Sequence, residues 1–433
     1  MSSEVSRSTR RAATRVLAGL LLGVILYGAA ELCAFGAFWV IFGEAFSFAR
    51  MAAERESRAY DTAFGDPVRP AAQEPEVIHP YLGYVKNPEV RAPKGRQPNA
   101  FGFLGAEPPI FKRREGRVIV AFLGGSFAQS LALRGRSEFA RALERDKRVA
   151  DVDVVIVPLA LAGYKQPQQL MTVAYLLSLG AQFDIIINVD GFNEVALHEA
   201  ENANHGVFPA FPRNWFARVS ALPDPQLRAL VGEVAYVRMK QMRWAARFPY
   251  VLRYCITANL IWRIEDRRLS ASIATLETAL QRHGAPSPGY VATGPRLPTD
   301  DASTVYPTLV SIWKESSLQL GRLAQANGAL YFHFLQPNQY VQGSKPMGSA
   351  ERRRSYDPSQ PYRRGVERGY PLLREAGAEL ERDGVEFSDL TMLFANNAAP
   401  IYIDTCCHMN DDGIRAVVDE IAASILRSVA RER

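Results

Sequence analysis

The fold is decided by residues 117–126, which read RVIVAFLGGS. The run is apolar and rich in β-branched residues, and Gly124-Gly125 ends it, which is typical of a buried strand. Four shorter runs of this kind follow along the chain, at residues 152–157 (VDVVIV), 184–189 (DIIINV), 329–335 (ALYFHFL) and 385–387. Because helical patterns separate these runs, we expect an α/β fold with a mostly parallel sheet and helices on both faces.

Helices are predicted between and after the strands wherever apolar residues recur at helical spacing. The interval 343–369 is basic and rich in Pro and Gly, so it is interpreted as a loop. The predicted helices cover residues 137–145, 167–179, 224–246, 258–282, 309–327, 371–382 and 414–429.

The composition excludes several classes of protein. The 433 residues are 48% hydrophobic and 22% charged, which is typical of a globular chain, and four cysteines are too few for a disulfide framework. The net charge is +6, but residues 1–15 hold four arginines and one glutamate, and so account for half of it. Nucleic-acid binding needs basic residues gathered on one face of a folded domain, so no nucleic-acid partner is expected.

The N-terminal region predicts a membrane anchor. Val16–Phe42 reads VLAGLLLGVILYGAAELCAFGAFWVIF and contains one charge, Glu31. About 20 apolar residues suffice to span a bilayer, and the preceding arginines place the N-terminus in the cytoplasm and the rest of the chain outside it. The alternative is a cleaved signal peptide with its apolar region at Val16–Tyr27. Glu31 either marks a helix partner or snorkels to the interface.

These patterns divide the chain into four parts. Residues 1–15 are a cytoplasmic tail, 16–42 a transmembrane helix, 43–75 a juxtamembrane stalk and 76–433 one domain. The strand–helix alternation stops at about residue 198 and resumes near 300, so this interval is predicted to be a helical insertion.

Candidate site residues follow the ends of three predicted strands, where sites form in parallel sheets. Ser126 lies at a glycine turn that would lift its hydroxyl out of the sheet, although a serine here also serves as a helix cap. Gly163 allows close approach to the backbone but is equally an ordinary loop glycine. Asn193 offers an amide donor, or caps the helix after it.

The fourth candidate segment is Asp404-Thr405-Cys406-Cys407-His408, which precedes the closing helix. A serine hydroxyl becomes a good nucleophile when a base takes its proton, and an Asp can hold that base in the required tautomer. We therefore interpret His408 as the base and Asp404 as its partner. A surface contact between the two is the alternative.

The order of Ser in a glycine turn, then Gly, Asn, and finally Asp and His near the C-terminus resembles the SGNH (GDSL-type) hydrolases. The resemblance covers roughly residues 75–195 and 305–433. It implies a flavodoxin-like three-layer α/β/α fold, Ser126 as nucleophile, His408 as base and Asp404 as its orienter. It also implies an oxyanion hole made by the backbone of Ser126 and Gly163 and the side chain of Asn193.

The chain departs from the family pattern at two positions. Gly125 stands where the family's Gly-Asp-Ser motif has an acid, and four residues instead of three separate Asp404 from His408. A Ser–His dyad without Asp404 is therefore the alternative to a triad.

The resemblance implies a serine esterase that cleaves acyl esters, with acetyl expected, on an extracytoplasmic glycan or lipid. An O-acyltransferase acting on cell-surface polysaccharide and a non-catalytic membrane-anchored assembly protein are the alternatives. A nucleotide-binding protein is disfavoured, because GxGxxG and the lysine of a P-loop are absent. Gln336 and Asn338 are candidate substrate contacts because they follow the strand 329–335.

No cofactor and no metal are expected. The Cys406-Cys407 pair beside His408 has ligand types that suit zinc, but structural zinc sites separate their cysteines by two to four residues.

Overall fold

The computed structural model describes residues 2–60, 75–90, 97–105, 107–144, 152–220, 225–282, 290–295 and 302–431. Contacts divide the chain into two compact units, unit 1 with Met1–Asp61 and Tyr236–Thr278, and unit 2 with Thr62–Ala235 and Ala279–Arg433. The predicted insertion at 198–300 is thus shared between the two. Part of the predicted stalk, residues 61–74, lies outside the described residues, as does Asp224, the first residue of a predicted helix.

Unit 2 contains the seven strands that the described residues form. They are β1 Glu76–His79, β2 Gly83–Lys86, β3 Arg117–Gly124, β4 Asp153–Pro158, β5 Ile185–Asp190, β6 Leu330–Leu335 and β7 Glu386–Asp389. β1 and β2 form an antiparallel pair, and the other five form a parallel sheet in the order β4-β3-β5-β6-β7. The prediction of an α/β fold with a mostly parallel sheet is confirmed.

Helices take up most of the remaining described chain. They are α1 Ser2–Phe42, α2 Phe48–Tyr60, α3 Ser126–Arg134, α4 Arg136–Glu144, α5 Gln168–Ser178, α6 Phe192–Leu197, α7 Trp215–Ser220, α8 Pro225–Ala246, α9 Ile256–Arg282, α10 Tyr290–Thr293, α11 Ala302–Ala326, α12 Ser349–Ser355, α13 Pro361–Arg382 and α14 Asp411–Arg431.

Helices cover both faces of the parallel sheet. Phe139 of α4 makes an edge-to-face contact with Phe122 of β3. On the opposite face, Trp313 of α11 contacts His333 of β6. Residues next to each other along a strand point to opposite faces, and nearly all residues of β3, β5 and β6 are buried, so these three strands bury both of their sides. This explains why the strands read as continuous apolar runs instead of alternating ones.

The interpretation of 343–369 as a loop is wrong, because α12 and the first half of α13 lie there. Gly365 and Gly369 let α13 approach α6, where a Cβ at either position would lie within 2.5 Å of an atom of Val195. Pro371 lies inside α13 and removes one helical hydrogen bond. The buried face of α13 offsets that loss, so the glycines and proline belong to a packed helix.

In unit 1, the N-terminal helix is longer than the predicted span, since α1 begins at Ser2. Its section Ala18–Phe42 is long and apolar enough to cross a membrane. Toward the C-terminal end of α1, Phe38 packs with Met51, Ala245 and Trp262 in a small apolar cluster within unit 1.

Candidate active site

Ser126 lies at the junction between β3 and α3. Gly124 has a φ of +130°, which side chains with a Cβ rarely adopt, and a Cβ there would lie 2.1 Å from the carbonyl oxygen of Val189. Glycine is therefore required where β3 passes β5. The turn places Ser126 as the first residue of α3, so its N–H has no acceptor within the helix.

His408 lies between Ser126 and Asp404. Its Nε2 is 2.8 Å from Oγ of Ser126, and its Nδ1 is 2.5 Å from Oδ2 of Asp404. The carboxylate can only accept, so Nδ1–H donates to Asp404 and the unprotonated Nε2 accepts the hydroxyl hydrogen of Ser126. Two segments that lie 282 residues apart in sequence thus form one hydrogen-bonded chain.

With Asp404 and His408 four residues apart in sequence, the segment 404–408 folds into a turn around the carboxylate of Asp404. Its Oδ1 accepts backbone N–H groups from Cys406, Cys407 and His408, while Oδ2 faces the imidazole. Burial alone raises the pKa of Asp404. The charge and ring hydrogen bond of His408, together with the backbone donors, outweigh burial and lower this pKa to about 2. Asp404 therefore stays ionised at neutral pH.

The loop after β6 fixes the position of the segment 404–408. Gln339 donates to the carbonyl of Asp404 at 3.0 Å, Asn338 to that of Cys406 at 3.0 Å, and Tyr340 to that of Thr405 at 2.9 Å. Asn338 is fully buried, and its amide is engaged by the backbone. The structure thus gives Asn338 a positioning contact. Gln339 was not singled out from the sequence, because its contact bridges 65 residues.

Gln336, the other candidate substrate contact, is also buried. Its backbone N–H donates to the carbonyl of Asp190, which joins the ends of β6 and β5. Its side-chain Nε2 has no hydrogen-bond partner among the described residues.

Asn193 lies directly beside the turn Gly124–Ser126. Its Nδ2 donates to the carbonyl of Tyr164 at 2.7 Å, which leaves the second hydrogen of the amide available. A Cβ on Gly125 would lie only 2.1 Å from this nitrogen. A side chain at position 125 would therefore collide with Asn193, which explains why glycine occupies this position.

Gly163 adopts a φ of +81° in the loop after β4. The N–H of Leu161 in this loop donates to the carbonyl of Gly124 at 3.2 Å, which holds the loop against the turn Gly124–Ser126. A Cβ on Gly163 would lie 1.9 Å from Cδ of Arg213. Within the described part of the chain, the N–H of Gly163 donates to no backbone or side-chain acceptor.

A second Ser–His–Asp chain exists in the core of unit 2. Ser317 Oγ is 2.7 Å from Nδ1 of His333, whose Nε2 is 2.8 Å from Oδ1 of Asp190. All three residues are at most 1% exposed, so no substrate can reach them. Next to this network, burial and then the charge of Asp190 raise the pKa of Glu194 to about 8. These groups stabilise the end of β5, from which Asn193 follows.

Cys406, Cys407 and His408 offer ligand atoms that lie within 4.8 Å of one another. However, both ring nitrogens of His408 are engaged, by Ser126 and by Asp404. A hydrogen bond with Cys407, and then burial, raise the pKa of Cys406 well above its usual value, whereas zinc binds the thiolate. The donor set therefore does not fit a metal while the triad is assembled.

A cleft adjoins the segment that carries Asp404. Gln360 in its wall donates to Oγ1 of Thr405 at 3.0 Å. Arg363 and Arg364 also line the cleft, and they pair with Glu367 and Glu199. These arginines are therefore neutralised locally.

The geometry thus joins Ser126, His408 and Asp404 by direct hydrogen bonds, and holds Asn193 and the loop of Gly163 against the same turn. Comparison of the chain with protein-family models and with curated proteins found no match.

Proposed function

We propose that the chain is a membrane-anchored serine esterase of the SGNH type. The observation that carries the proposal is the 2.8 Å contact between Oγ of Ser126 and Nε2 of His408, with Asp404 on the other ring nitrogen. A serine hydroxyl needs such a base to become a nucleophile, and the base needs such a carboxylate to hold its tautomer.

In the first half of the reaction, Oγ of Ser126 attacks the carbonyl carbon of an ester while its proton passes to Nε2 of His408. The tetrahedral intermediate collapses, the C–O bond to the alcohol breaks, and His408 returns the proton to the departing alcohol. The product is an acyl ester on Ser126. Asp404 remains ionised throughout and stabilises the imidazolium.

In the second half, water attacks the acyl carbon with His408 again as the base. The carboxylic acid leaves, and the proton returns to Oγ of Ser126. If the hydroxyl of a sugar takes the place of water, the same residues perform O-acyl transfer.

Negative charge develops on the carbonyl oxygen in both halves. The N–H groups of Ser126 and Gly163 and the second amide hydrogen of Asn193 are its proposed donors. Removal of one such donor typically slows an enzyme by about 10²- to 10³-fold.

The order of the parallel strands supports a flavodoxin-like fold for the sheet. Numbered along the chain, β4-β3-β5-β6-β7 is the order 2-1-3-4-5. The strand order reverses between β3 and β5, and sites in such sheets form at the carboxyl ends of the strands on either side of that point. Ser126 follows β3 and Asn193 follows β5.

The proposed location is outside the cytoplasm, with α1 as the single anchor. The basic N-terminal residues support this orientation through the positive-inside rule. The proposed substrate is accordingly an acyl ester, such as acetyl, on an extracytoplasmic glycan or lipid.

The test is hydrolysis of p-nitrophenyl acetate by the purified full chain and by Ser126→Ala. We expect the turnover of this variant to fall to the uncatalysed level. Ser178→Ala, which changes an exposed serine of α5, should retain the turnover of the parent chain. Equal turnover by Ser126→Ala and the parent chain would refute the esterase and favour a non-catalytic assembly protein.

A further inference from the structure

Unit 1 carries an exposed aromatic segment that the proposed chemistry does not use. It is the hairpin tip, Phe248–Cys255, which joins α8 to α9 and contains the 3₁₀ turn Tyr250–Tyr254. Tyr250 is 67% exposed, Val251 78% and Tyr254 69%. Adjacent large apolar side chains at this exposure mark a surface that binds a partner or a membrane.

Glu31 of α1 binds the residues that follow the hairpin tip. Its carboxylate accepts the N–H groups of Ile256 at 2.5 Å and Thr257 at 3.0 Å, which are the first two amides of α9. These amides have no acceptor within their own helix, and the helix dipole favours a negative charge there. Glu31 therefore has a partner, and this partner fixes the height of the hairpin tip along α1.

A second contact shows that α9 runs alongside α1 in the same direction. Arg267 of α9 donates to the carbonyl of Ile41 at 3.0 Å. Ten residues separate Glu31 from Ile41 and eleven separate Ile256 from Arg267, which correspond to about 15 Å and 16 Å of helix. The agreement of the two lengths places the hairpin tip level with Glu31, beside the apolar part of α1.

This position lies close to a membrane interface if α1 spans the bilayer. About 20 residues suffice to span a bilayer, and counted from Val16 they end at Phe35. Phe38, in the next turn of α1, is buried within unit 1 and so does not face lipid. Glu31 is four residues, or about 6 Å, inside the limit at Phe35. Interfacial segments bury their apolar side chains roughly 5–10 Å into the boundary between headgroups and acyl chains. The hairpin tip is therefore at the depth that such segments occupy.

The composition of the hairpin tip and its surroundings also fits a lipid interface. Tyr250 and Tyr254 are of the type enriched in aromatic belts, and Val251 supplies apolar area. Arg247 and Arg253 are exposed among them, and basic side chains in this position are attracted by anionic headgroups.

We propose that the hairpin tip inserts into the interface of the bilayer that α1 spans, with its arginines at anionic headgroups. The inference rests on the proposed anchoring by α1 and is independent of the serine chemistry. The chain would then hold the membrane at two places, a spanning helix and an interfacial hairpin.

The test uses the full chain in nanodiscs of mixed zwitterionic and anionic phospholipid. Val251→Cys is compared with Val291→Cys, a valine that is 69% exposed in unit 2. A charged, membrane-impermeant maleimide should label position 251 roughly tenfold or more slowly than position 291, because the inserted thiol is shielded by lipid. Native Cys33, exposed on α1, reports the anchor in the same sample.

The outcomes separate the two claims. If Cys33 is protected but position 251 reacts as fast as position 291, the inserted hairpin is refuted and the anchor stands. If Cys33 reacts as well, the anchor is refuted and the inference fails with it. Esterase turnover, measured on the same nanodiscs, reports separately on Ser126.

A second experiment identifies lipid as the shield. Photoactivatable analogues of an anionic and a zwitterionic phospholipid should both cross-link to the peptide 248–255, with the anionic one favoured. The double variant Arg247→Gln with Arg253→Gln should abolish the preference for the anionic phospholipid and leave the total amount of cross-linking unchanged. Protection at position 251 without any lipid adduct would contradict insertion.

Discussion

The space beside Gly125 gives a sharp prediction about the oxyanion hole. Gly125 has φ −87° and ψ −155°, which alanine tolerates, so Gly125→Ala introduces no backbone strain. Its new Cβ would, however, lie 2.1 Å from Nδ2 and 3.2 Å from Cγ of Asn193. The Asn193 amide must move away from the nucleophile turn, and its hydrogen bond to Tyr164 must lengthen or break.

The expected result is the loss of one oxyanion donor. For Gly125→Ala we predict a fall in kcat of about 10²- to 10³-fold, equivalent to about 3–4 kcal/mol of transition-state stabilisation. The assay is steady-state hydrolysis of p-nitrophenyl acetate. Gly348→Ala is the matched control, because nothing lies within 4 Å of its added Cβ.

A double-mutant cycle tests the proposed cause. If Gly125→Ala acts by displacing Asn193, the pair Gly125→Ala with Asn193→Ala should be no slower than Asn193→Ala alone. The reasoning would be refuted if the fold-losses in kcat of the two single variants multiplied in the double variant. It would also be refuted if the kcat of Gly125→Ala stayed within about threefold of that of the parent.

Four further predictions concern the triad and its surroundings. Asp404→Asn should lower kcat by about 10⁴-fold, because the imidazole loses its orienting acceptor. The lowered pKa of Asp404 means that its carboxylate stabilises the fold by about 2 kcal/mol above pH 4, and that this contribution is lost as the pH falls towards 2. Urea unfolding should therefore show that the difference in free energy of unfolding between the parent and Asp404→Asn narrows as the pH falls from 4 towards 2. A difference that stays constant over this range would contradict the lowered pKa of Asp404. Ser317→Ala should lower the free energy of unfolding by about 1 kcal/mol through lost hydrogen bonds, yet leave kcat unchanged. Loss of turnover in a folded Ser317→Ala variant would show that the buried Ser317–His333–Asp190 network takes part in the reaction. EDTA should leave turnover unchanged, since Ser126 and Asp404 engage both ring nitrogens of His408 without a metal. Inactivation by EDTA that zinc reverses would show that the activity depends on a bound metal.

The strands were predictable because both of their faces are buried. Short apolar runs such as RVIVAFL and DIIINV, ended by Gly or a polar residue, fit few structures other than a buried strand. β3 and β5 accordingly begin and end within a residue or so of the predicted limits. The helices were harder to delimit. The helices predicted at 309–327 and 371–382 begin earlier in the structure, at Ala302 and Pro361. Pro307 and Pro371 therefore lie inside longer helices, whose packing offsets the lost hydrogen bond.

The candidate site was predictable to the level of residue type and order. Ser126, Asp404 and His408 carry chemistry that few other positions offer, and each lies next to a strand end or helix start. The contacts of Gln339 and Tyr340 with the segment 404–408 could not be predicted, because they depend on how two distant loops meet. For the same reason the sequence could not distinguish a partner for Glu31 from snorkelling.

The most direct test of the central claim is the identity of the residue that a serine-directed reagent modifies. The full chain is treated with a fluorophosphonate, digested and mapped by mass spectrometry, with His408→Ala treated in parallel. We predict a single stoichiometric adduct on Ser126 that His408→Ala reduces to a trace. A folded chain that stays unmodified, or is modified at another residue, would contradict the assignment of Ser126 as the nucleophile.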